Sequence, residues 1–245
     1  MIKVALVTGG SGQIGSAICK KFSDEGYAVV LTYNSDQARA EKLLSELRGE
    51  RNSIVKASIT DSKALEKLKV YVSDNYGRLD VLVNNAGVTT PVKHDDLDGL
   101  TDQWIDKIMQ TNFRGSFAMV RAMKDLLQAA EGGSLVVNIS SIAGIYAMGS
   151  NVAYCASKAA LDSMTRSLAR ALAPQIRVVS VSPGLVEGEY TKSFDPNFLM
   201  SQKSNTPLGR FALGEDVANA VYAVATSLTF STGNIITVDG GRLLK

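Results

Sequence analysis

Tyr154 and Lys158, four positions apart in the stretch YCASK, can do chemistry together. Four residues is about one helical turn, so on a helix the two side chains share a face. A cation held beside a phenol favours phenolate and lowers a pKa that otherwise stands near about 10. A tyrosine tuned in this way exchanges a proton with a substrate oxygen near neutral pH. The same spacing also arises by chance on ordinary helices, so the pair needs support from the rest of the chain. Other catalytic chemistries have few residues to draw on. His94 is the only histidine and lies in the polar loop KHDDLDG, where it reads as a surface residue; a Ser-His-Asp hydrolase would have to use it. Cys19 and Cys155 fall in separate helical-looking segments, too far apart in sequence for a Cys/His zinc motif and too few for a disulfide framework. Cys155 adjoins Tyr154 but points about 100° around the helix, so it reads as packing. No metal site is expected.

The elements that position such a pair follow from composition and pattern. The chain has 245 residues, 45% apolar and 20% charged, as in ordinary globular proteins. A net charge of +2 gives no field suited to nucleic acid or an anionic membrane. No apolar stretch approaches the roughly 20 residues that span a bilayer. The N-terminal MIKVALVTGG is too short in its apolar run for a signal peptide and reads as a first strand. Two thiols suit a reducing compartment, so a cytoplasmic location is expected.

Continuous runs rich in Val, Ile and Leu recur at 3–8, 28–33, 53–58, 79–86, 134–140, 177–183 and 234–239. Such runs suit strands buried on both faces of a parallel sheet. Helical periodicity fills the intervals: 35–47 behind a Ser35 cap, 60–77 ending at Gly77, one long stretch over 100–130, and 151–173 stopped by Pro174. The alternation predicts an α/β fold of a single domain, doubly wound in the Rossmann manner, with a seven-stranded parallel sheet and helices on both faces. TGGSGQIG (8–15) follows the first strand and opens a helix at Ser16. Gly9, Gly12 and Gly15 allow a tight turn, close backbone approach and close helix–sheet packing, the arrangement that holds a dinucleotide pyrophosphate.

TGGSGQIG, NNAG (84–87), TN (111–112), NISS (138–141), YCASK (154–158), SPG (182–184), PLGRF (207–211) and VDGG (238–241) occur in an order and spacing that is highly specific. Through them the chain resembles the short-chain dehydrogenases/reductases of the short, single-domain branch, from Lys3 to Gly241, and is similar to the 3-oxoacyl-[acyl-carrier-protein] reductases among them. The resemblance implies a catalytic set of Asn112, Ser141, Tyr154 and Lys158. Ser141 is preferred to Ser140 because it lies thirteen residues before Tyr154. Tyr154 would act as acid/base, Ser141 would hydrogen-bond the reacting oxygen, and Lys158 would lower the tyrosine pKa and hold the nicotinamide ribose. Asn112 would hold a water linking Lys158 to solvent. Helical spacing supports a buried Asn112 independently, since Ile105, Ile108, Met109 and Asn112 fall on one face. The implied cofactor contacts are Gly9, Ser11, Gly12, Gln13, Ile14, Gly15, Tyr33, Asn34, Ser35, Ser58, Ile59, Asn85, Ala86, Gly87, Pro183, Gly184 and Val186, with Tyr154 and Lys158.

Two positions depart from the family pattern. Gln13 stands where this branch has the middle glycine of TGxxxGxG, and the spacing instead matches the extended branch of the family, whose C-terminal substrate region has no room here. Gly188 stands where many relatives have a threonine, with Thr191 as a possible substitute. Tyr33, Asn34 and Ser35 carry no acid to bind the ribose hydroxyls of NAD, which favours NADP with NAD possible; against NADP, the turn carries no basic residue, and Arg39 is the nearest candidate for a phosphate partner. Asp36 is placed in the first helical turn behind Ser35, a structural position.

Substrate contacts are expected from 88–96, 142–149 and a lid at about 187–207, with Ile142, Ile145, Tyr146, Met148, Tyr190, Phe194, Phe198 and Met200 as an apolar lining. Carrier-protein reductases need basic residues near the mouth. The corresponding helix ends here, QAAEGG (128–133) and APQ (173–175), have none, which favours a free ketone or secondary alcohol. A non-catalytic dinucleotide sensor is the alternative of another class, though such proteins typically lose catalytic residues that this chain keeps. The likeness implies a homotetramer, a dimer of dimers.

Overall fold

The computed structural model describes residues 2–192 and 194–244, with the side chain of Tyr190 outside the described set. In chain order the elements are β1 (Val4–Val7), α1 (Gln13–Asp24), β2 (Ala28–Tyr33), α2 (Gln37–Glu46), β3 (Ser53–Lys56), α3 (Ser62–Tyr76) and β4 (Val81–Asn84). There follow α4 (Asp102–Met109), a π-helical turn (Gln110–Gly115), α5 (Ser116–Gln128), β5 (Ser134–Ile139), α6 (Ala143–Tyr146), α7 (Val152–Leu172) and β6 (Ile176–Pro183). The chain continues through α8 (Glu189–Lys192), α9 (Pro196–Ser204), α10 (Gly214–Thr226) and β7 (Ile235–Val238).

The seven strands form one parallel sheet in the order β3-β2-β1-β4-β5-β6-β7. Leu6 of β1 lies between Val30 of β2 and Leu82 of β4. Winding runs outward from β1 to β3 and then returns to the other side of β1, so a crevice opens between β1 and β4 at the strand ends. One face is sealed by Ile18 and Phe22 of α1, Leu43 of α2 and Val221 of α10. The other is sealed by Leu68 of α3, Met119, Met123 and Leu127 of α5, and Ala169 of α7. The strands carry apolar residues toward both layers, hence their continuous rather than alternating pattern. Among the described residues no helix is long and apolar enough to cross a membrane.

Local differences from the sequence reading have physical reasons. Helix α1 starts at Gln13 rather than Ser16, because the Gly12 carbonyl already accepts from the Ser16 amide at 2.7 Å. Asp36, not Ser35, caps α2: its Oδ1 accepts from the Arg39 amide at 2.9 Å. The stretch 100–130 is helical without interruption from Asp102 to Gln128, as expected, with a π turn at Gln110–Gly115 joining α4 and α5. Ile108 and Asn112 are buried as expected, whereas Ile105 is exposed, because α4 buries only a narrow stripe.

Candidate active site

Helix α7 sets the tyrosine and lysine. Its N-cap, Asn151, is fully buried; Asn151 Oδ1 accepts from the Tyr154 amide at 2.7 Å and Nδ2 donates to the Thr90 carbonyl at 2.7 Å. One side chain thus fixes both the start of α7 and the loop after β4. Sequence reading started the helix at this asparagine without identifying it as the cap, although Asn ahead of a helical run is the ordinary signal. Tyr154 lines the main cleft, a cavity of about 1500 Å³ above the strand ends. Lys158 lies behind it, its Nζ 5.6 Å from the phenol ring centroid and donating to the Ile139 carbonyl at 2.8 Å. The lysine is 5% exposed, and burial draws its pKa from 10.5 down to about 8, with the Asp162 charge working the other way.

Asp162 follows Lys158 by one turn on the same helix and is itself 3% exposed. Burial raises its pKa, opposed by the Ser140 and Ser180 hydroxyls and by the charges of Arg166 and Lys158. Neither carboxylate oxygen has a hydrogen bond among the described residues. The two hydroxyls engage the Lys158 carbonyl and Thr165 instead; because hydroxyls rotate, either can turn onto the carboxylate.

Ser141 lines the cleft, while Ser140 is buried and turned toward Lys158. Asn112, in the π turn, is 1% exposed; its Oδ1 accepts from the Val88 amide at 2.8 Å, and its Nδ2 donates to the Val88 carbonyl and Ser157 Oγ at 3.0 Å each. Both amide hydrogens are therefore engaged, which leaves one lone pair on Oδ1 for any water. A Cβ on Gly87 would lie 3.3 Å from Asn112 Oδ1 and 3.8 Å from Lys158 Nζ, so the backbone there passes close over both. Beneath the site, Asn84 and Asn138 pair across β4 and β5, and Asn138 continues to Thr165 of α7.

The glycine turn lies at the other end of the same cleft. Gly9 has φ +59°, a conformation that favours glycine. A Cβ on Gly15 would come within 2.5 Å of the Gly9 carbonyl and 2.8 Å of Asn85 Nδ2. The NNAG segment clasps this turn: the Asn85 and Ala86 amides donate to Thr8 Oγ1, and Asn85 Nδ2 donates to the Thr8 and Gly9 carbonyls. Thr8, nearly fully buried, was not singled out from sequence. Gly12 caps α1 without a side-chain bond, so the first amides of the helix face the cleft without a side-chain cap. That suits an anionic group lying across the helix start.

Of the remaining expected contacts, Ser11, Gln13, Ile14, Tyr33, Asn34, Ser35, Ser58, Ile59, Gly184 and Val186 line the cleft. Gly15, Asn112, Lys158 and Pro183 stand behind its wall, and the Pro183 carbonyl accepts from the Ile142 amide. Arg39 is ion-paired to Glu189 of α8 at 2.9 Å. Of the apolar lining expected for substrate, Ile142, Tyr146, Met148, Phe194 and Phe198 line the cleft, whereas Ile145 and Met200 do not and face solvent; Tyr190's side chain is outside the described residues. His94 is exposed, and its Nε2 sits 3.1 Å from the Gly149 carbonyl at the rim. Helices α5 and α7 lead into the starts of β5 and β6, so 128–133 and 173–175 lie at the opposite end of the strands from the cleft. Their lack of basic residues therefore says nothing about this chain's own cleft mouth, where Lys93, Lys107, Arg210 and Arg242 stand.

A family model described as enoyl-(acyl carrier protein) reductase matches residues 10–242. An NAD-dependent glycerol dehydrogenase of Listeria innocua is 34% identical over 248 residues, covering 99% of this chain and 94% of its own. A 3-oxoacyl-[acyl-carrier-protein] reductase of Staphylococcus aureus is 32% identical, covering 100% and 99%. A short-chain dehydrogenase/reductase from Brucella melitensis, described as a glucose/ribitol dehydrogenase, superposes with TM-score 0.91 at 28% identity over 98% of this chain and 96% of its own. With the sheet order and the glycine turn, these likenesses make the chain a member of the short-chain dehydrogenase/reductase family, an NAD(P)-dependent dehydrogenase/reductase.

Proposed function

We propose that the protein is an NADP-dependent oxidoreductase interconverting a ketone and a secondary alcohol, with Tyr154 as the acid/base. The observation that carries this reading is the phenol on the cleft wall backed by the buried Lys158 ammonium, with Ser141 on the same cleft. When bound, the nicotinamide ring supplies the hydride donor or acceptor. In reduction Tyr154 gives its phenolic proton to the carbonyl oxygen, and in oxidation it takes the proton back. Ser141 donates a hydrogen bond to the same oxygen and supports its developing charge. Lys158 favours the phenolate, and Asn112 holds the Val88 backbone beside it.

The glycine turn and the open start of α1 fit a dinucleotide diphosphate, with Gly9, Ser11, Gly12, Gln13 and Ile14 lying against it and Gly15 packing behind. Preference for NADP rests on the uncharged Tyr33–Ser35 stretch and on Asp36, whose carboxylate is committed to capping α2. Arg39 lies in the first turn of α2, three residues past the cleft-lining Asp36. Its partner Glu189 is 74% exposed, so the ion pair is weak and a 2′-phosphate can displace it. The chain is read as a single domain, with 187–207 as its lid, and a cytoplasmic homotetramer would cover Ile105 and Phe117, which are 36% and 40% exposed on α4 and α5.

Reduction of a 3-oxoacyl group on a carrier protein is the second reading, favoured by the Staphylococcus aureus relative and by the basic residues at the cleft mouth. A panel of free ketones assayed with NADPH beside the carrier-linked substrate separates the two. The first reading expects kcat/KM on the best free ketone to equal or exceed that on the carrier; an advantage of about 100-fold or more for the carrier replaces it with the second.

A further inference from the structure

Gln13 and Gly188 are the two departures from the family pattern, and the fold puts them in contact. Gln13 is the first residue of α1, beside the diphosphate cradle, and lines the cleft. Gly188 is the residue before α8, at the root of the lid. A Cβ on Gly188 would overlap the Oε1, Cδ and Nε2 atoms of Gln13. No side chain larger than hydrogen fits at 188 while the Gln13 carboxamide stays where it is.

The lid root is held in that place. The Gly188 amide donates to Thr191 Oγ1 at 2.9 Å, and the same hydroxyl donates back to the Gly188 carbonyl at 2.9 Å. Thr191 is 4% exposed and committed to this turn, so it does not reach the cleft. The adjacent Glu187 amide donates to the Ala212 carbonyl at 2.8 Å, and Glu189 is paired with Arg39. The Gln13 side chain, by contrast, has no hydrogen-bond partner among the described residues. Its two N–H donors therefore have no partner among the described residues at the point where the lid root meets the open amides of α1.

We propose that Gln13 and Gly188 are a complementary pair in which the Gln13 carboxamide, seated on Gly188, donates a side-chain hydrogen bond to the cofactor diphosphate. The carboxamide takes over the place that a hydroxyl side chain at 188 would fill. A side chain at 188 would have to displace the carboxamide, the flexible end of Gln13, from that seat, so the two positions are coupled. This assignment rests on the dinucleotide reading of the cleft and names a further residue within it.

A double-mutant cycle read by calorimetric titration with NADPH tests the pair. Gln13→Ala should raise Kd by roughly tenfold, the scale of one lost hydrogen bond to a charged group. Gly188→Thr should raise it at least as much, because the threonine drives the carboxamide out of the seat from which it donates. Gln13→Ala/Gly188→Thr should recover to within about threefold of wild type, the new hydroxyl occupying the vacated space. Adenosine 2′,5′-bisphosphate, which lacks the diphosphate bridge, should bind all four proteins within about twofold, which separates loss of the contact from general damage. Gly188→Ala, whose single methyl already overlaps the carboxamide, serves in place of threonine if that variant does not fold. Wild-type affinity in Gly188→Thr or Gly188→Ala, or losses that simply add in the double variant, would overturn the pair. Wild-type protein that binds neither NADPH nor NADH would sink the dinucleotide reading and the pair with it.

Discussion

Lys158 keeps an ammonium in a place that disfavours charge. Burial lowers its pKa to about 8, so between about 8 and the ordinary 10.5 the folded protein binds fewer protons than the unfolded chain. Across that window stability rises with pH as the penalty for burying the cation is relieved. On the proposed mechanism activity should move the other way, because a neutral Lys158 would no longer favour the Tyr154 phenolate. Asp162 is the charge that opposes this loss. Asp162→Asn should therefore shift the alkaline fall of kcat/KM to lower pH, and a profile that stays put or moves upward would show that Asp162 does not act on Lys158. Tyr154→Phe should lower kcat by about 10²–10⁴-fold, the contribution of a positioned general acid. Its dinucleotide affinity should stay within about twofold; undiminished turnover would remove Tyr154 as the acid/base. The tyrosine–lysine relation was legible from spacing because both lie on one helix. The Asn112–Val88 bond was not, since it joins residues 24 apart across a loop.

At the scale of elements, the strands were legible almost throughout, because residues buried on both faces leave continuous apolar runs. Helix ends were less so. The π turn within the long helical stretch leaves no mark of composition: it arises from backbone geometry, and QTNFRG resembles any other helical stretch. It nevertheless matters, since it carries Asn112 into the site. Asp36 and Ser35 compete as caps from neighbouring positions, and only backbone direction decides between them. Asn151 links two elements at once. Asn151→Ala should lose the α7 cap, at about 0.5–2 kcal/mol, and should also leave the Thr90 carbonyl without its partner. The loss should appear as a lower midpoint in thermal or denaturant unfolding together with reduced kcat, and Asn151→Asp should recover part of the stability by restoring the cap acceptor. Wild-type stability in the alanine variant would contradict this role.

The whole molecule places its two chemical ends by topology. The β1/β4 crevice puts the glycine turn at one end of the cleft and the tyrosine–lysine pair at the other, with Gly188 against Gln13 beside the first and Phe194 and Phe198 also on the cleft wall. Strand–helix alternation made that architecture readable before any contact was known. Long-range packing made the rest unreadable: Gln13 against Gly188 joins positions far apart in sequence, and each alone looked like an unexplained exception. The same holds for 128–133 and 173–175, which topology sends to the end of the strands away from the cleft. The central claim is that this cleft holds a nicotinamide dinucleotide and prefers the one bearing a 2′-phosphate. Calorimetric titration of the purified protein with NADPH and NADH, side by side, tests it most directly. Saturable binding of both, with NADPH tighter by about tenfold or more, is the predicted result, on the scale of one phosphate–arginine contact. Tighter binding of NADH, or no binding of either, would contradict it.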